Sequence, residues 1–365
     1  MRKLKIALVH DDLMQWGGLE RVLLGLSDTF PEADIFTSVY NKQNPFLKEF
    51  FQNKKIQTSF IQKIPGWKTF YKALLPLYPL AFESFDLSSY DLIISITTRF
   101  AKAVITKPDQ LHICYCFTPP RFLWGFSKQN SFLTSLLSPY RLMDQLFSTR
   151  VDHWIAGSEY IQSRIKKVYK KDSLIIPGFV DIPATTDIWD GGFFLIISRL
   201  NNYKRVDVAI EAFKKLYKNK QAFNLKVIGI GPEMKRLTSD LTPNIEFLGS
   251  VSERMRLKLL QACRAVIITA EEDFGLIPLE AQAIGKPVIA FAKGGAVETV
   301  RDRKTGIFFP EQTADSLIQA LGDFASVRFD PSDCRAQALN FSFTHFQDQF
   351  GSLISQLPRP LLSSS

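Results

Sequence analysis

The sequence predicts an α/β protein built from two doubly wound, parallel-sheet domains that face each other across a cleft. Three observations carry this. Short apolar runs alternate with helical patterns along the whole chain, the order that lays helices over both faces of a parallel sheet. Runs such as Leu92-Ile93-Ile94-Ser95 and Val266-Ile267-Ile268-Thr269 lack in/out alternation, as strands buried on both faces do. A length of 365 residues, 46% of them apolar, is enough for two separate cores.

The first half offers strands at Lys5–Val9, Asp34–Val39, Asp91–Ile96, Leu111–Cys116 and His153–Ala156. The second half offers Phe193–Ser198, Leu225–Gly229, Ile245–Leu248, Ala265–Thr269 and Pro287–Phe291. Between the halves, Asp181–Gly192, with Pro183 and the pair Gly191-Gly192, reads as a linker. The expected domains are therefore residues 1–185 and 186–340. The tail Leu361–Ser365 is low in complexity and expected to fray. In doubly wound sheets ligands bind beyond the carboxyl ends of the strands, so the loops after strands are where chemistry is expected.

A charged fraction of 22% is ordinary for a soluble chain and excludes a disordered one. The formal net charge of +9 fits an anionic ligand, an anionic membrane surface or nucleic acid, but no nucleic-acid motif is present. From Lys42 to Lys72 there are seven lysines and one acidic residue, Glu49, interleaved with Phe50, Phe51, Phe60, Trp67, Phe70 and Tyr71. This is either a solvated surface loop and helix or a face that meets anionic lipid headgroups or a lipid-phosphate acceptor. Cys114, Cys116, Cys263 and Cys334 have no second pair at zinc-site spacing and read as buried thiols of a reducing compartment. The short basic N-terminal stretch leads straight into a strand without a signal-peptide core, and no run of about 18 apolar residues exists. A cytoplasmic enzyme is the expectation, with the inner face of the membrane as a place for it to rest.

Five segments could carry chemistry. Glu272-Asp-Phe-Gly-Leu-Ile-Pro-Leu-Glu280 follows the strand Ala265–Thr269; Pro278 suits the first turn of a helix, and both carboxylates would project from the strand's carboxyl end. Carboxylates accept hydrogen bonds from paired sugar hydroxyls, although Glu280 could equally complement a helix N-terminus. Ser198-Arg199-Leu-Asn-Asn-Tyr-Lys204-Arg205 places two cations at a strand end, where Arg199 in fork geometry and Lys204 as a point charge suit a diphosphate. Surface salt bridges are the plainer alternative. Trp16-Gly17-Gly18-Leu19-Glu20-Arg21 combines two glycines with a helix start, which suits an anion and also marks many tight turns. Gly229-Ile-Gly231-Pro232 lacks the third glycine of a dinucleotide fingerprint, Met234 standing there, so a tight turn beside a nucleotide is the better reading. Lys293-Gly294-Gly295-Ala-Val-Glu298 repeats the glycine-loop logic.

Arg199 with Lys204, then Glu272-x7-Glu280 and Pro287-Val-Ile-Ala, resembles the retaining family-four (group 1) glycosyltransferases, which have two facing Rossmann-like domains (GT-B type). The resemblance runs from Gly17-Gly18-Leu-Glu-Arg-Val to Phe341-Ser-Phe-Thr-His-Phe. His112-Ile-Cys-Tyr-Cys-Phe-Thr-Pro-Pro-Arg-Phe-Leu-Trp124 is similar to a subgroup that transfers mannosyl and related sugars in O-antigen and exopolysaccharide assembly.

The resemblance implies that Arg199 and Lys204 hold the donor diphosphate, with Gly17 and Gly18 beneath the phosphates. Glu280 would take the ribose hydroxyls. Glu272 would take the transferred sugar, with backbone N–H groups near Phe274, Gly275 and Leu276 beside it. The Gly229–Pro232 turn, with Gly231, and the segment Asn244–Gly249 would frame the base. Phe117, Arg121 and His112 would stand on the acceptor side, although His112 could equally face the core of its strand, and residues 341–365, with a helix at about Thr344–Leu357, would cross back onto the first domain. The subgroup usually has His where this chain has Phe117.

The implied reaction is transfer of a sugar from a nucleotide-diphosphate donor, GDP-mannose by subgroup resemblance, to a lipid-linked saccharide with retention of configuration. No carboxylate stands out as a covalent nucleophile, and the resemblance implies that the acceptor hydroxyl attacks on the face from which the nucleotide leaves. Neither a metal nor another cofactor is expected, since the cations would stabilise the leaving diphosphate. An epimerase would want the full dinucleotide fingerprint, and a phosphorylase a cofactor-lysine context not found here. A non-catalytic nucleotide-sugar-binding protein of the same fold is the remaining alternative, and Arg199, Lys204, Glu272 and Glu280 argue against it.

Overall fold

The computed structural model describes residues 4–71, 73–125, 137–184 and 187–357. Lys72 and the tail Leu361–Ser365 lie outside them. The chain divides into two compact units: 1–178 together with 346–365, and 179–345.

The first unit holds a seven-stranded sheet in the order β3-β2-β1-β4-β5-β6-β7, every neighbouring pair parallel. Its strands are β1 Ile6–His10, β2 Asp34–Thr37, β3 Ile56–Thr58, β4 Leu92–Thr97, β5 Leu111–Cys116, β6 His153–Ala156 and β7 Leu174–Ile175. All six residues of β4 are buried, as its lack of in/out alternation predicts for a strand covered on both faces. Cys114 and Cys116 share one face of β5 and pack with Trp154 and Tyr169. Burial pushes the Cys114 thiol up to about 12 and holds Cys116 well above the ordinary thiol range, so both rest as inert apolar groups.

The second unit holds a six-stranded parallel sheet in the order β10-β9-β8-β11-β12-β13. Its strands are β8 Phe193–Ile197, β9 Asn224–Ile228, β10 Ile245–Gly249, β11 Val266–Ile268, β12 Val288–Phe291 and β13 Gly306–Phe309. The helix Val206–Lys218 shows why helices cover such a sheet: Ala209, Ala212, Phe213 and Leu216 recur at helical spacing and bury one stripe. Phe213 meets Phe194 of β8 edge to face at 5.9 Å. Hydroxyl caps set several starts in both units: Ser158, Ser252 and Thr313 each accept a backbone N–H three residues on, worth about 1 kcal/mol apiece.

The ten strands expected from the sequence all form. β3, β7 and β13 were not expected; the first two are edge strands of three and two residues, too short for a period-2 pattern. The last helix spans Phe343–Gln356. From Phe346 on it belongs to the first unit, where Phe350 stacks on Tyr115 of β5 at 6.0 Å.

Candidate active site

Both sheets start in the middle, grow outward on one side and then on the other. The order reverses between β1 and β4 in the first unit and between β8 and β11 in the second. A doubly wound sheet opens a crevice at the carboxyl ends of such a pair, because the two following helices lie on opposite faces. In each unit the loops after that pair carry the densest polar chemistry.

In the second unit the loop after β8 holds Arg199 and Lys204. Its backbone is pinned to the turn after β9: Leu200 N–H donates to Ile230 O at 3.0 Å, and Glu233 N–H returns to Leu200 O at 3.0 Å. That approach is why glycines stand at 229 and 231. A Cβ on Gly229 would lie 1.8 Å from Ser198 O, and one on Gly231 2.4 Å from Leu200 O. The glycine turn thus holds the cation loop in place. Arg199 itself is exposed, and its guanidinium has no partner among the described residues.

Lys204 ends a short 3-10 turn, Asn202–Lys204. Its carbonyl accepts the Thr269 hydroxyl at 2.8 Å, and Gln312 ties Thr269 O at 2.7 Å, so the turn is fastened to the end of β11. The ammonium reaches the loop after β11 and lies 2.8 Å from both carboxylate oxygens of Glu272. Glu272 is held in turn by the loop after β12: Gly295 N–H donates to its carbonyl at 2.7 Å. A Cβ on Gly294 would stand 2.3 Å from Glu272 O, and one on Gly295 2.3 Å from Phe274 O. The Gly294-Gly295 pair is therefore a seat for the Glu272–Gly275 loop.

Phe274 turns its ring inward, edge to face with Phe341 at 5.9 Å, so only its backbone can serve a ligand. Gly275 caps the helix Leu276–Ala283, and Leu276 is half-buried. Glu280 lies in the second turn of that helix rather than at its N-terminus. Its carboxylate accepts the Arg256 guanidinium, Nη1 to Oε2 at 2.7 Å, which corrects the reading that it complements the helix start. Arg256, Thr269 and Gln312 carried no signal in the sequence, since each acts through a contact with a distant segment.

In the first unit Gly17 is the N-cap of the helix Gly18–Thr29 and is extended, with Arg21 N–H on its carbonyl at 3.0 Å. The polar centre lies just before it. The Asp11 carboxylate accepts Thr97 Oγ1, the backbone N–H groups of Thr98, Phe100 and Ala101, and the Thr98 hydroxyl, at 2.6–3.1 Å. Burial alone would raise its pKa; Arg99 and those donors outweigh it and hold Asp11 below the ordinary carboxylate range. Arg99 also pairs with Asp12. His10 is fully buried, with no hydrogen-bond partner on either ring nitrogen among the described residues and Glu20 4.0 Å from Nε2, and burial brings its pKa down to about 4 against Asp11 and Asp12. Asp11, Asp12 and Arg99 fall outside the sequence motifs, so sequence reasoning missed them.

His112 does not belong on the acceptor side. It is the second residue of β5, toward the amino end, and fully buried. Nε2 meets Ser95 Oγ at 2.8 Å and Nδ1 meets Arg150 O at 3.0 Å, so both nitrogens are occupied. Burial lowers its pKa to about 4, and it stays neutral. Phe117 follows β5 at its carboxyl end, half-buried, its ring 5.3 Å from Tyr115. Arg121 opens the short helix Arg121–Trp124 and is half-buried.

The basic aromatic segment forms the helix Pro45–Phe51, β3 and two further short turns. Phe46, Phe50, Phe60 and Phe70 are exposed there, while Lys54 and Lys55 pair with Asp28 and Asp34. Among the described residues no helix is long and apolar enough to cross a membrane, and no group of three or more His, Cys, Asp or Glu stands together as metal ligands.

Two parallel sheets with this repeated strand order define the class, a protein of two Rossmann-like domains, with a paired cation and carboxylate at the reversal point of the second. The family described as "Glycosyl transferases group 1" matches residues 183–339. The chain is 28% identical to the alpha-1,3/1,6-mannosyltransferase ALG2 of Candida glabrata, covering 82% of this chain and 78% of that one. It is 26% identical to the human protein of that name, covering 83% of each. Among solved structures, sucrose-phosphate synthase from Thermosynechococcus elongatus superposes with a TM-score of 0.75 at 20% identity, over 97% of this chain and 99% of that one. The lipopolysaccharide outer core galactosyltransferase WaaB does so with 0.70 at 18%, over 97% and 100%. Residues 183–339 thus match the group 1 glycosyl transferase family, and the relatives aligned over four fifths of the chain are mannosyltransferases by name, which supports a hexosyltransferase.

Proposed function

We propose that the chain transfers a mannosyl residue from GDP-mannose to a lipid-linked saccharide, with retention of configuration, in cell-surface polysaccharide assembly. The observation that carries the reading is the pair Lys204–Glu272 at the reversal point of the second sheet, with Arg199, whose guanidinium has no partner among the described residues, in the same loop as Lys204. The choice of mannose is supported by relatives whose names are mannosyltransferases and that align over four fifths of the chain.

In this reading Arg199 binds the donor diphosphate in fork geometry. An ammonium has three N–H donors. Two face Glu272, which leaves one for the phosphate while the carboxylate turns its remaining lone pairs to the sugar hydroxyls. Glu280 takes the ribose hydroxyls, Gly231 and its turn border the base, and the N–H groups of Gly275 and Leu276 flank the sugar. Phe117 and Arg121 face the acceptor. As the glycosidic C–O bond to the diphosphate breaks, the acceptor hydroxyl adds on the same face and its proton passes to the departing phosphate oxygen. Arg199 and Lys204 stabilise the charge that develops there, which calls for no metal. The exposed phenylalanines and lysines of residues 42–71 rest on an anionic membrane that carries the acceptor.

Calorimetric titration with GDP- and UDP-sugars, followed by transfer of labelled mannose to a membrane lipid extract, tests the reading. Binding of GDP-mannose and its loss in Arg199→Ala, with label entering the lipid fraction, is the expected result. Binding without transfer would favour a non-catalytic nucleotide-sugar protein. No binding of any nucleotide sugar would overturn the site assignment.

A further inference from the structure

Arg256 stands on the helix Glu253–Ala262, after β10. Its guanidinium joins two carboxylates. Nη1 donates to Glu280 Oε2 at 2.7 Å, and Nε donates to Glu253 Oε2 at 2.8 Å. The Arg256 side chain is 21% exposed and that of Glu280 only 12%, so this charge pair is weakly screened, whereas Glu253 is 59% exposed. Glu253 anchors the guanidinium to its own helix one turn away, and the guanidinium then fixes the carboxylate of a different helix.

We infer that Arg256 is a positioning residue through which Glu280 reads the ribose of the donor nucleotide, an inference that rests on the assignment of Glu280 to the ribose hydroxyls. The physics is direct. A free glutamate has three torsions to order when a ligand arrives, and ordering such a side chain opposes binding. Arg256 orders it beforehand by engaging one oxygen. A carboxylate accepts hydrogen bonds through both oxygens, which matches a vicinal diol that donates two. Arg256 need not touch the nucleotide, so its influence must vanish when the two hydroxyls are removed.

The test compares GDP with 2′,3′-dideoxy-GDP, and UDP with its dideoxy counterpart, by calorimetry on the full chain. Wild type, Glu280→Gln, Arg256→Ala, Arg256→Lys and the double variant Glu280→Gln/Arg256→Ala are measured, with thermal unfolding run on each. In Arg256→Ala the ribonucleotide is expected to bind about tenfold more weakly while the dideoxy form binds as in wild type. Arg256→Lys recovers part of the loss, and the double variant is no weaker than Glu280→Gln alone. Equal weakening of both nucleotides in Arg256→Ala and Arg256→Lys, or of neither, overturns the positioning role while leaving Glu280 in place. A wild type that does not distinguish the two forms, or a Glu280→Gln variant that still does, overturns the assignment of Glu280 and the inference with it.

Discussion

Lys204 and Glu272 are 68 residues apart, yet the ammonium of one sits 2.8 Å from both oxygens of the other. Strand order causes this. β8 and β11 are neighbours across the reversal of the sheet, so the loops that follow them emerge side by side. The first unit repeats the device, with Asp11 and Asp12 after β1 meeting Thr98 and Arg99 after β4.

Replacement of Lys204 by alanine removes a cation from the diphosphate and from Glu272. Turnover is expected to fall by about 10²–10³. Steady-state transfer from the donor measures it, and a fall of less than about threefold would count against a role in the chemical step.

Arg199→Ala separates function from folding. The side chain is exposed, and among the described residues it has no hydrogen-bond or ion-pair partner whose loss would unfold the protein. The melting temperature should move by less than about 1 °C, while donor affinity falls about tenfold or more. Differential scanning calorimetry beside donor titration checks both halves.

Gly295→Ala tests the seat under the Glu272 loop. The added Cβ would meet the Phe274 backbone at 2.3–2.5 Å, and no flexible side chain stands there to give way. A loss of about 1–3 kcal/mol of stability is expected. Because the loop must shift, donor KM should rise as well; unchanged KM in a folded variant would show that the loop tolerates displacement.

Lys102 and Asp144 form a buried pair at 2.6 Å, with side chains 1% and 0% exposed. Asp144 also accepts the Trp124 indole N–H at 2.7 Å and the Tyr169 hydroxyl at 2.8 Å. Removing one partner strands the other charge without solvent. Lys102→Met should cost about 3–5 kcal/mol in urea unfolding, and adding Asp144→Leu should restore part of it. Equal costs for single and double variants would contradict the pairing.

His10 and His112 set an acid limit on stability. Both have folded pKa values lowered to about 4 by burial, from an ordinary 6.5. Between those values the unfolded chain binds protons that the folded chain refuses, so stability falls as pH drops through the window. Above 6.5 both states are neutral and these groups contribute no slope. At pH 5 the loss is on the order of 2 kcal/mol per histidine. Denaturant titration at pH 7.5 and pH 5 should show it, with a shallower loss in His112→Gln. An identical loss in that variant would exclude His112 as a source.

The sequence by itself determined the layers of this protein. Largely apolar runs without in/out alternation, such as Leu92–Ile96, specify buried parallel strands, and helical spacing such as Ala209-Phe213-Leu216 specifies the helices that cover them. It also located the loops after β8, β11 and β12, since cations, carboxylates and paired glycines at strand ends are a local pattern. Only the tertiary structure decided the partners. That Arg256 holds Glu280, that Gly229 makes room for Ser198 O and that the Phe274 ring is buried against Phe341 follow from segments distant in sequence. His112 shows the same limit from the other side. Its residue type suggests chemistry, but its place near the amino end of β5, with both nitrogens bonded, makes it part of the scaffold. Residue type and spacing set what a segment can form locally; the order in which strands join the sheet sets which segments meet, and no local pattern encodes it.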